Sequence, residues 1–83
     1  MRIEISKSAA KSLMRSNKRK LIAQKITELA AQPETLSANV VQLQGRPGFR
    51  LRVQDWRVVY RMEDGVLYID EIEPRGSIYE DRT

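Results

Sequence analysis

The chain has 83 residues, 15 Lys/Arg against 11 Asp/Glu, and neither histidine nor cysteine. That length lies near the lower limit at which one core supports itself, and no disulfide can add to it, so a single domain over residues 1–83 is expected. Without imidazole or thiol there is no ordinary zinc site, no thiol nucleophile and no histidine acid–base; any chemistry must run on carboxylates, Lys, Arg, Tyr, Ser or Thr.

The net charge of +4 is unevenly divided. Residues 1–61 hold 13 Lys/Arg and 4 Asp/Glu, whereas residues 62–83 hold 2 and 7. A basic body favours a polyanion or an acidic protein as partner. No apolar run approaches the roughly 20 residues needed to span a bilayer. Residues 1–5 read as a strand and lack the apolar core of a signal peptide. A soluble, cytoplasmic protein with no membrane partner is the expectation, and the absence of cysteine suits a reducing compartment.

In chain order, Arg2 to Ser6 alternates like a short strand. Ser6 or Ser8 can cap a helix over about residues 8–16, where Ala9, Ala10, Leu13 and Met14 repeat at helical spacing. Ser16-Asn17 interrupts it and supplies a new cap. From Lys18 to Gln32, Leu21, Ile22, Ile26, Leu29 and Ala30 form an amphipathic stripe that Pro33 stops. Val40 to Leu43 is a strand closed by the turn Gly45-Arg46-Pro47-Gly48. Two more strands, residues 49–53 and 56–62, flank Gln54-Asp55; Glu63-Asp64-Gly65 turns the chain into a last strand over residues 66–73. The order β-αα-ββββ predicts an α+β fold: an N-terminal strand, a helical hairpin, then an antiparallel sheet of about four strands with both helices on its apolar face.

Alternation carries the functional signal. Phe49, Leu51 and Val53 share one strand face with Trp56, Val58, Tyr60 and Met62, which reads as core. The other face receives Arg50, Arg52, Arg57 and Arg61, a surface suited to phosphate; a solvated face with carboxylate partners is the bland alternative. Arg61 can equally ion-pair with Glu63 or Asp70. Lys18, Arg19 and Lys20, at a helix start, are a second candidate polyanion contact or simply a solvated helix end. Asp70 and Glu71 alternate on one strand and so are expected on opposite faces, which argues against a shared magnesium site. Ser6, Ser8 and Ser12 have no base beside them and read as caps and helix surface.

The residues Leu43-Gln44-Gly45, Phe49-Arg50-Leu51-Arg52-Val53, Trp56-Arg57-Val58-Val59-Tyr60-Arg61, and Ile72 followed by Arg75, Ile78 and Tyr79 resemble, in order and spacing, the RelE/ParE superfamily of type II toxin–antitoxin toxins. The resemblance spans essentially the whole chain. It implies either a RelE-like endoribonuclease that cuts messenger RNA in the ribosomal A site or a ParE-like inhibitor of DNA gyrase. An inactive homologue that only binds its antitoxin is a third possibility. Fold alone does not choose among them.

On the favoured RelE-like reading, the RNA 2′-hydroxyl attacks the adjacent phosphorus without metal or other cofactor. The resemblance then implies that Arg50 and Arg52 bind substrate, that Arg57 stabilises the phosphorane, and that Arg75 and Tyr79 complete the catalytic set; alternation alone adds Arg61 to the substrate-binding candidates. Some family members carry lysines where Arg50 and Arg52 stand. Arginine does not lose its proton, so these two hold phosphate and Tyr79 is the remaining base. Implied partners are a cognate antitoxin, messenger RNA with the ribosome, and operator DNA reached through the antitoxin.

Overall fold

The computed structural model describes residues 1–74. Strand β1 (Arg2–Ile5) leads into helices α1 (Lys7–Arg15) and α2 (Arg19–Ala31). A 3₁₀ segment (Pro33–Asn39) then precedes β2 (Val40–Gln42), β3 (Phe49–Val53), β4 (Trp56–Glu63) and β5 (Val66–Pro74). The sheet order is β1-β5-β4-β3-β2. The last four strands are antiparallel neighbours, as their short connections require. β1 adds a fifth strand, parallel to β5, which makes the sheet mixed.

Ser6 holds the first corner together. Its hydroxyl accepts from the Ala9 N–H at 3.1 Å, capping α1, and donates to the Asp70 carbonyl at 2.8 Å. Its own N–H reaches the Ile69 carbonyl at 2.9 Å. Ser16 closes α1, and its buried hydroxyl accepts from the Lys18 N–H at 2.9 Å. Lys18 itself is the N-cap of α2 and offers no side-chain cap. Pro33 ends α2, and the segment beyond it closes into the 3₁₀ turns around Leu36, which is buried.

α1 packs on β5, and α2 packs on β3 and the 3₁₀ segment. Between helices and sheet, Ile22, Leu29, Leu51, Val58, Leu67, Ile69 and Ile72 are fully buried. Each such side chain contributes roughly 1.5–3 kcal/mol of transfer free energy. Phe49, Trp56 and Met62 pack against this core, and the Phe49 and Tyr60 rings stack at 5.5 Å, so the apolar face lies where the alternation predicts.

The strand carrying Asp70 departs from simple alternation. Val59 pairs with Glu71 and Tyr60 with Ile69, which leaves Asp70 as the extra residue of a β-bulge. The bulge turns Asp70 onto the same face as Glu71, so the expectation that they point apart is corrected. Each is engaged by an arginine: Asp70 by Arg61, and Glu71 by Arg46 at 3.2 Å.

Candidate nucleic-acid interface

Residues directly opposite in a sheet point the same way, so register fixes the composition of the second face. Arg52 lies opposite Arg57, and Arg57 opposite Glu73. One row on, Val41, Arg50, Val59 and Glu71 align across four strands. Arg50, Arg52 and Arg57 therefore meet on the side of the sheet away from the helices. Arg50 and Arg57 are half-buried and Arg52 is exposed. They line an open concavity of about 250 Å³ whose remaining wall comes from Ala38, Asn39, Val41 and Gln54.

The other arginines of this face are neutralised. The Arg61 Nε donates to Asp70 Oδ2 at 2.8 Å and its Nη2 to Oδ1 at 3.2 Å, while Nη1 donates to Glu63 Oε1 at 3.0 Å. Its guanidinium also stacks 4.7 Å from the Tyr68 ring centroid. The hydrogen bond to Asp70, more than any other cause, raises the Arg61 pKa further above its ordinary value. Both ion pairs offered by the sequence thus form at once. Among the described residues, no carboxylate lies within ion-pair distance of Arg50 or Arg52. Their charge is permanent and directed into the concavity.

Lys18, Arg19 and Lys20 line a separate hollow at the α1–α2 junction, with Ser16, Asn17 and Leu21, and do not join the sheet arginines. Arg75 and Tyr79 lie outside the described residues. Among the described residues no group of three or more Asp or Glu is placed to hold a metal ion. Asn39 and Gln54 were not singled out by sequence reasoning. Gln54 was visible as half of the two-residue break between arginine-bearing strands. Asn39 reaches the concavity through the 3₁₀ segment, which leaves no periodic signal.

Residues 3–79 match the family model described as ParE toxin of type II toxin-antitoxin system, parDE. No curated protein sequence matches the chain. Among solved structures the fold is similar to the archaeal RelE–RelB complex from Pyrococcus horikoshii OT3, at 28% identity and a TM-score of 0.73, covering 90% of this chain and 94% of that one. YafQ from E. coli strain BL21(DE3) superposes with a TM-score of 0.74 at 20% identity, covering 95% and 99%. A chain of the intact E. coli RelBE toxin–antitoxin complex gives 0.70 at 21% identity, covering 88% and 94%.

Proposed function

The chain belongs to the ParE toxin family of type II toxin–antitoxin systems, and we propose that it acts as a metal-independent, ribosome-dependent endoribonuclease on messenger RNA. The observation that carries this reading is selective neutralisation on one sheet face. Acids occupy Arg46 and Arg61, while Arg50 and Arg52 stand uncompensated by any described carboxylate beside Arg57 in one concavity. Guanidinium pairs of this kind suit a phosphate whose charge grows during reaction.

The 2′-hydroxyl oxygen bonds to the adjacent phosphorus as its proton passes to a base, the bond from phosphorus to the 5′-oxygen breaks, and that oxygen takes a proton from solvent or a ribosomal group, leaving a 2′,3′-cyclic phosphate. Arg50 and Arg52 hold the phosphate in line for this displacement, and Arg57 stabilises the phosphorane. None of the three serves as base, because arginine stays protonated. Tyr79 is assigned that role, which requires that arginine charge favour its phenolate, and Arg75 is assigned to the same catalytic set. Lys18, Arg19 and Lys20 are assigned to ribosomal RNA. The toxin–antitoxin complexes among the similar folds support a cognate antitoxin, to which we assign covering of the basic face and carriage of the pair to operator DNA.

A second reading has its own support: the matched family model is the ParE one, and inhibition of DNA gyrase needs no RNA chemistry. Purified protein incubated with programmed ribosomes, and separately with gyrase and supercoiled DNA, separates the two. Transcript cleavage that is lost in Arg50→Ala/Arg52→Ala and strongly reduced in folded Tyr79→Phe and Arg75→Ala supports the nuclease. Intact messenger RNA beside accumulating double-strand DNA breaks would overturn it.

A further inference from the structure

We infer that Gln54 is a base-reading residue, its carboxamide pairing with the edge of an adenine whose phosphate sits on Arg50, Arg52 and Arg57. The inference rests on RNA being the ligand of the concavity.

The two hairpins of the sheet solve the same turn differently. Between β4 and β5 the central residues are Asp64 at φ 52° and Gly65 at φ 77°, the residue types that positive φ ordinarily selects. Between β3 and β4 the left-handed position is held by Gln54, at φ 53°. A long side chain is uncommon there, where glycine, asparagine or aspartate fits with less steric conflict. Backbone strain of this kind is retained mainly where a side chain is needed in a particular place.

That place is the wall of the arginine concavity. Among the described residues, no side-chain hydrogen bond involves Gln54. The amide is therefore presented to a ligand and not spent on the turn. Arginines on phosphate fix position but carry no sequence information. A neutral amide beside them has the complementary property: at the N6 and N7 edge its oxygen accepts from the adenine amino group while its nitrogen donates to N7, an edge at which guanine offers two acceptors and the pyrimidines have no ring nitrogen. In single-stranded RNA those edges are open to side chains.

The test uses short single-stranded oligoribonucleotides carrying 2′-O-methyl groups, which remove the attacking hydroxyl, with one position set to A, C, G or U. Binding is measured for the wild type, Gln54→Gly and Gln54→Asn, alongside thermal unfolding and the cleavage profile on programmed ribosomes. The wild type is expected to favour adenine by about five- to tenfold, the lower end of one bidentate contact, and Gln54→Gly to bring the four bases within about twofold. Gln54→Gly should also raise Tm while leaving the salt dependence of binding unchanged, because the phosphate contacts persist. Gln54→Asn should raise Tm and keep part of the preference.

A base profile unmoved by Gln54→Gly overturns the inference, even where the wild type cleaves RNA. Adenine preference that Gln54→Gly flattens, in a wild type that cleaves nothing, removes the nuclease reading and keeps the base reader. A wild type that binds none of the oligonucleotides at low salt overturns the inference, and the cleavage profile on programmed ribosomes decides the nuclease reading separately.

Discussion

Arg52 and Arg57 face each other directly across the β3–β4 hairpin, one register step from its turn. Like charges directly opposite in an antiparallel pair are destabilising, with cross-strand pair energies of roughly 0.2–1 kcal/mol. Arg57 has Glu73 opposite it on its other side, whereas no described carboxylate lies within ion-pair distance of Arg52. Arg52→Gln should therefore raise stability by up to about 1 kcal/mol, read as a higher urea midpoint at unchanged slope. The same variant should bind single-stranded RNA more weakly and lower the slope of log affinity against log salt by about 0.7. A stabilised variant with unaltered RNA binding would remove Arg52 from the interface.

Arg61 behaves in the opposite way, because Asp70 and Glu63 already hold its guanidinium and Tyr68 supports it from below. Arg61→Ala should lower Tm and leave the salt slope of RNA binding at the wild-type value. A double-mutant cycle with Asp70→Asn should show that the two losses are not additive. A salt slope that drops as far as in Arg52→Gln would return Arg61 to the phosphate-binding set.

The contrast between these arginines marks how far sequence reasoning reaches. Period-two alternation placed Arg50, Arg52 and Arg57 on one face, and two-residue hairpin spacing fixed their partners. Whether Arg61 belongs with them depends on the Asp70 bulge. An inserted residue of that kind shows in Val66–Pro74 only as a slip of phase, Leu67 and Ile69 being followed by Ile72 across the adjacent acids Asp70 and Glu71, and the slip does not say which arginine Asp70 will meet. The parallel union of β1 with β5 is silent, since alternation identifies a strand but not its neighbour. The Pro33–Asn39 segment has Leu36 as its single buried residue, too little for any period. Family likeness, not spacing, supplied Arg75 and Tyr79, and both lie outside the described residues.

Gly48 is required for two separable reasons. Its φ is +117°, and a Cβ there would sit 2.7 Å from the Tyr60 carbonyl oxygen and 3.1 Å from the Arg61 Cγ. The first contact is backbone of the central strand β4 and cannot yield cheaply. Gly45, at φ +79°, has nothing within 4 Å of the same position. Gly48→Ala should thus cost about 1–3 kcal/mol and Gly45→Asn much less, because asparagine tolerates the left-handed region. Equal losses in chemical denaturation would show that the close approach to β4 is not what demands glycine.

Ser6 couples the start of α1 to the bulge through one hydroxyl that accepts from Ala9 and donates to Asp70. Removing it leaves a helix N–H and a bulge carbonyl without these partners. Ser6→Ala should destabilise the protein by about 1–2 kcal/mol, the range for a lost N-cap with a further hydrogen bond. Because Asp70 then loses one of its anchors, hydrogen exchange should accelerate around β5 as well as in the first turn of α1. Acceleration restricted to α1 would mean that the bulge is held by its strand neighbours alone.

Tyr60 makes stability depend on alkaline pH. Burial raises its pKa above the ordinary value of 10.0, since a phenolate in the core would lose its hydration. Below about pH 10 the phenol is protonated in both folded and unfolded chains, and the shift has no effect. Between that value and the folded pKa, the folded chain keeps a proton that the unfolded chain has released, so stability falls as pH rises. Tyr60→Phe abolishes this loss and keeps a ring to stack on Phe49. Every other group is common to the two proteins, so the difference between their urea midpoints isolates Tyr60. That difference should shift in favour of Tyr60→Phe on going from about pH 8 to about pH 11. A difference that stays constant would mean that the Tyr60 hydroxyl reaches solvent well enough to ionise in place.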